Sequence, residues 1–168
     1  MSVERSLREA WGMWSIGRPD PQAVIRLACD GLVEGLDTPK LRELASLSIH
    51  NADRHEVREL LFFALSELGE RPPDFETSGA TLLALQFCCE RYLNGELTPR
   101  ELCSWAHQHV GHEGPAIAQQ LVLLDDDMDR NDVTSGVRDF RIETDAAAAA
   151  FLDASHALAK SCHPPGHP

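Results

Sequence analysis

The stretch from Val57 to Leu68 constrains this chain more than any other. Val57, Leu60, Leu61, Ala64, Leu65 and Leu68 advance in alternating steps of three and one, which draws an apolar stripe down one side of an α-helix. Such a stripe is only stable when buried, so the segment needs partners with stripes of their own. Gly69 stops the pattern and Pro72-Pro73 forbids its continuation. Further stripes follow the same grammar. Leu7, Trp11 and Trp14 seat a helix over residues 2–14, after which Gly17, Pro19 and Asp20 break the pattern. Asp20-Pro21 then caps and opens a helix carrying Val24, Ile25, Leu27, Ala28, Leu32 and Val33, mostly on one side, and ending at Gly35, because proline at a first helical position lacks an N–H that would be unpaired anyway. Thr38-Pro39 opens a helix through Ser48 with Leu41, Leu44 and Ala45 inward.

Beyond a loop near residues 70–78, residues 79–94 predict a helix hydrophobic on most sides, hence a central one. Thr98-Pro99 opens a helix that closes at Gly111, and Pro115 opens another running to about Leu124. The acidic run Asp125–Asp132 then reads as a connector or docking face, residues 133–143 show no period, and Thr144 or Asp145 caps a last helix. Leucine and alanine dominate the apolar residues, which favours helix over strand. The expectation is an all-α bundle of about seven or eight helices in one domain over residues 1–161, with a disordered tail over 162–168.

A pattern recurs at an offset of 60 residues: LACDGLVEGLDTPK over 27–40 and FCCERYLNGELTPR over 87–100. Helix, glycine stop, short loop and Thr-Pro start make an αα-hairpin. Two similar halves, over 20–70 and 79–125, are one explanation, and generic capping is the other.

Charge narrows the partners. With 27 acids against 15 Lys and Arg, the net charge is −12, a field that repels phosphate backbones and disfavours nucleic acid while suiting a basic protein. No apolar run approaches the roughly 20 residues of a membrane span, and the N-terminus carries no secretory pattern. An odd set of cysteines (Cys29, Cys88, Cys89, Cys103 and Cys162), four of them in predicted helices, reads as reduced buried thiols in a cytoplasmic protein.

Several clusters of ligand-type side chains bear on chemistry. Cys103 and His107 stand four apart on one helix face and are the first candidates as metal ligands; His109 points away, and His112, beyond Gly111, can swing back. A full site then needs His50, His55 or a carboxylate, and no C-x-x-C or H-E-x-x-H makes it specific, so no cofactor is expected. A calcium loop from Asp127 places Asp129 and Asn131 correctly but fails at Asp132, where glycine belongs, and at Arg138, where glutamate belongs. No nucleophile motif or phosphate loop is present.

The runs GLDTPKLRELASL and EVRELLFFALSELGERPPD, with Asn94-Gly95-Glu96-Leu97-Thr98-Pro99, resemble uncharacterised small all-helical proteins of actinobacteria over about residues 22–125. The resemblance implies an all-helical fold, a bacterial cytoplasmic setting and a role as an immunity or accessory protein. It carries over no catalytic residue. The expectation from the residues is a non-enzymatic interaction protein whose Asp125, Asp126, Asp127 and Asp129 meet a basic toxin or effector. The alternatives are a metal-dependent hydrolase with a site between helices, and a helical pocket for a small molecule.

Overall fold

The computed structural model describes residues 2–15, 20–74, 77–133 and 138–161. Among them the chain is all-α, with eight α-helices, one 3₁₀ turn and no strand. The helices are α1 (Val3–Ser15), α2 (Pro21–Val33), α3 (Pro39–Ala45), α4 (Arg54–Glu67), α5 (Ser78–Leu93), α6 (Pro99–His109), α7 (Gln119–Val133) and α8 (Arg141–Ser161), with the 3₁₀ turn at Ala116–Ala118 before α7. The chain divides inside α5 into two units, Met1–Ala84 and Leu85–Pro168. Gly17, Pro19, Cys162 and the tail over 162–168 lie outside the described residues.

In the first unit the leucine stripe does what its spacing requires. Val57, Leu60, Leu61, Ala64 and Leu65 of α4 are buried with Leu41 and Leu44 of α3, Val24, Ile25 and Ala28 of α2, and Leu7, Trp11 and Trp14 of α1. Trp11 is anchored twice: its indole N–H donates to the Pro73 carbonyl at 2.9 Å, and its ring lies 5.4 Å from that of Phe62. Gly12 is tight against the Ala84 backbone, since a Cβ there would lie 3.1 Å from the Ala84 Cα.

The helix ends are satisfied as the capping residues dictate. Asp20 accepts from the amides of Gln22 and Ala23, Thr38 from Leu41, and Thr98 forms a reciprocal capping box with Glu101. Asp53 caps α4 through the amides of His55 and Glu56. At the C-termini, Gly35 (φ 91°) and Gly95 (φ 80°) adopt left-handed backbone. Leu36 N–H donates to Gly31 O and Gly35 N–H to Leu32 O, and the same pair of bonds recurs 60 residues on, from Glu96 to Arg91 O and from Gly95 to Tyr92 O. Gly69 makes the same pair, Glu70 to Leu65 O and Gly69 to Ser66 O, with no Thr-Pro after it. The motif is thus a general helix stop, and the sequence match between 27–40 and 87–100 does not by itself establish a duplication.

In the second unit the buried residues include Leu85, Phe87 and Cys89 of α5, Leu102, Cys103 and Ala106 of α6, Leu121, Val122 and Met128 of α7, and Thr144, Ala148 and Phe151 of α8. Three boundaries differ from expectation. Helix α3 stops at Ala45, where the Ser46 hydroxyl donates to the Glu43 carbonyl at 2.7 Å. The acidic run is no connector but the second half of α7, because Leu124, Asp125 and Met128 continue its buried side. Helix α8 starts at Arg141, whose amide donates to Asp139 at 2.9 Å. Thr144 is therefore not a cap: it is buried inside the helix, and its hydroxyl donates to the Phe140 carbonyl at 2.8 Å.

Because Leu61 is fully buried while Phe63, two residues on, is about half exposed, the two should respond differently to truncation. Leu61→Ala is expected to cost about 2–5 kcal/mol of unfolding free energy. Phe63→Ala should cost roughly 1 kcal/mol or less. Urea denaturation of the two variants checks this.

Candidate polar site between helices α6 and α7

The second unit contains a seam where titratable side chains from α6, the following loop and α7 converge. It is built on one buried carboxylate. Asp125 lies on the inward side of α7 with its side chain 8% exposed, and it accepts from His107 Nδ1 at 2.8 Å and from Arg100 Nη1 at 3.4 Å. A carboxylate this enclosed is costly unless its lone pairs are filled, and α6 supplies both donors from its first and third turns. Arg100 also reaches Asp129, one turn along α7, at 2.7 Å.

Outside this anchor sits a more open layer. His107 Nδ1 is 3.7 Å from Asp126 Oδ1, and His112 Nε2 is 3.6 Å from Asp126 Oδ2. The two imidazole rings meet edge to face at 5.0 Å. His112 comes back toward α6 because Gly111 takes left-handed backbone (φ 66°) at the helix end. The loop is held there by Gln119, whose side-chain amide donates to the carbonyls of Gly111 at 2.9 Å and Gly114 at 3.0 Å. One ligand-type atom from each of His107, His112 and Asp126 lies within 4.8 Å of the other two.

The sequence candidates are thus redistributed. Cys103 and His107 do not form a ligand pair: the Cys103 Sγ is buried, 3.9 Å from the Thr144 hydroxyl, whereas the longer His107 side chain reaches outward to α7. His109 packs against Trp105, 4.7 Å between ring centroids with the planes tilted by 43°. His55 is engaged on its own helix by Arg58 at 2.8 Å and Glu59 at 3.5 Å. The calcium-loop reading ends with the acidic run being helical. Of the four aspartates read as one contact surface, Asp125 is buried and held internally, Asp126 faces the histidines, and Asp127 and Asp129 are exposed, paired with Arg130 at 2.5 Å and Arg100 at 2.7 Å. The roles of Arg100 and Gln119 escaped the sequence reading: Arg100 acts through Asp125, 25 residues on, and Gln119 through the backbone carbonyls of Gly111 and Gly114, which no side-chain pattern marks.

A second polar feature lies at the far end of α6. A cleft of about 650 Å³ is lined by Tyr92, Glu96, Thr98, Glu101, Arg141 and Asp145, among others. The Tyr92 hydroxyl donates to Asp145 Oδ1 at 2.5 Å, and burial together with that bond pushes the phenol above its ordinary range. A phenol held so firmly protonated is not poised as a base near neutral pH.

The thiols divide by environment. Cys88, Cys89 and Cys103 are buried thiols, but Cys29 is exposed on α2, correcting the expectation that the helical cysteines are uniformly buried. Burial pushes the Cys103 thiol up to about 11 and that of Cys89 higher still. Among the described residues, no helix is long and apolar enough to cross a membrane. Comparison with known protein families, with curated protein sequences and with solved structures finds no significant match to this chain.

Two outcomes follow from this geometry. Asp125→Ala removes the buried carboxylate that His107 and Arg100 share and should cost about 1–3 kcal/mol, whereas Asp127→Ala removes one surface pair and should stay within about 0.5 kcal/mol of wild type; thermal and urea melts separate them. In the native protein at pH 8, alkylation with peptide mapping should modify Cys29 well before Cys88, Cys89 and Cys103, because the reactive species is the thiolate and burial suppresses it. Equal rates at Cys29 and Cys103 would contradict the structure.

Proposed function

We propose that this chain is a non-enzymatic binding module for another protein, with the outward face of α7 as its contact surface and a basic toxin or effector as the class of partner. The observation that carries the reading is the combination of a net charge of −12 with exposed carboxylates on one helix: Asp127 and, 64% exposed at its side chain, Asp129. Their present partners, Arg130 and Arg100, are themselves substantially exposed. Such pairs are worth little in water, so a partner's bases can replace them at small cost. Leu123, about half exposed one turn before Asp127, sets an exposed apolar side chain beside that carboxylate, and protein interfaces combine apolar contacts with a polar rim. Asp125 has no part in this surface, since it is buried. The immunity or accessory role and the bacterial cytoplasmic setting come from the resemblance over residues 22–125, and they agree with this charge.

The test keeps the buried anchor and the histidine layer intact. A basic protein captured from the host at low salt should bind Asp127→Asn/Asp129→Asn with a slower association rate and a weaker salt dependence, since opposite charges act chiefly on encounter. Association unchanged by the double substitution at low ionic strength would overturn the reading.

A further inference from the structure

The histidine layer supports a chemistry separate from protein binding. We propose that His107, His112 and Asp126 form a site for a divalent first-row transition metal of the zinc class, held by two imidazole nitrogens and one carboxylate oxygen, with water completing the shell. Three features carry this, and none depends on α7 being a contact surface.

The first is spacing. Zinc takes imidazole and carboxylate ligands at about 2.0–2.2 Å, so neighbouring ligand atoms in a tetrahedral shell sit roughly 3.4 Å apart. The separation between His112 Nε2 and Asp126 Oδ2, 3.6 Å, is already close to that. The full triangle closes from within 4.8 Å by small side-chain rotations. All three groups are partly exposed, so no core packing opposes the movement.

The second is bracing. A carboxylate only accepts, so the 2.8 Å contact to Asp125 places the proton on His107 Nδ1 and leaves the lone pair on Nε2. A metal-ligating histidine ordinarily has just such a carboxylate behind it, fixing the ring and raising its basicity. Asp125 is in turn fixed by Arg100 and by its burial. His112 is braced differently, through Gly111 and the two Gln119 hydrogen bonds that pin its loop.

The third is donor chemistry. Two imidazoles with one carboxylate suit zinc and its neighbours and give poor ligation for calcium or magnesium, which want an all-oxygen shell. With both histidines neutral, Asp126 as ligand and Asp125 behind it offset the two positive charges of the ion. Cys103, buried against Thr144, is excluded from the set, which makes the site distinguishable from a thiolate one.

The experiment is a competition titration of the full-length, tag-free chain with Zn²⁺ against a chromophoric chelator, repeated on His112→Ala, Asp126→Asn and Cys103→Ser. The expected result is one zinc per chain. It should be weakened in His112→Ala and in Asp126→Asn by more than the roughly 10–100-fold that outer-shell partners account for, and unchanged in Cys103→Ser and in the presence of excess Mg²⁺. Cobalt loading should give a visible spectrum with no thiolate charge-transfer band. Circular dichroism of each variant establishes that it is folded. Wild-type protein that takes up no zinc, stoichiometric binding that survives both ligand substitutions, or a thiolate band that disappears in Cys103→Ser would each overturn the proposal.

Discussion

Five of the eight described helices, α1 to α4 and α6, run only 7 to 14 residues, and an isolated helix below about 12–15 residues is marginal in water even with an ideal sequence. The structure therefore depends on the joint burial of apolar stripes. The α4 stripe is the clearest instance, since α1, α2 and α3 each present residues to it: Trp11 and Trp14, Val24 and Ile25, Leu41 and Leu44. The caps have a second role. They satisfy amides and carbonyls that would otherwise be left without partners, and so fix where each stripe begins and ends.

In the second unit the same constraint meets a polar exception. Asp125 occupies a position on α7 where the helix period calls for an apolar residue, between Leu121 and Met128 on the inward side. Its burial is tolerated because Arg100 and His107 approach from α6. This polar contact ties the two helices in one register, and it sets the direction of the His107 ring on which the outer layer with His112 and Asp126 is built. Stability and candidate chemistry thus share one side chain.

Much of this was legible beforehand, and for identifiable reasons. Asp20-Pro21, Thr38-Pro39 and Thr98-Pro99 mark helix starts because their chemistry is local: a short side chain reaches an amide two or three residues on. Gly35, Gly69, Gly95 and Gly111 mark helix ends because each takes a positive φ that other residues adopt reluctantly. The acidic run was misread for the complementary reason. Consecutive aspartates are poor helix formers and look like a loop, yet Leu124 and Met128 bury the same turns and override that preference. Thr144 misled similarly, its hydroxyl serving the Phe140 carbonyl inside α8 rather than the start of the helix.

Sequence alone determined the all-helical character, most helix termini and the acidic surface, because periodicity, capping and composition act within a few residues of chain. Which acid is buried, which histidines meet and which thiol is exposed were decided only by tertiary structure. Asp125 and Asp127 are indistinguishable in a run of like residues until α6 packs against one side of α7 and brings Arg100 and His107 to the first of them. Likewise Cys29 and Cys89 hold matching places in the 60-residue offset but lie in different packing environments, so one is exposed and the other buried. Burial is a property of what lies opposite a residue, and the chain's order does not contain it.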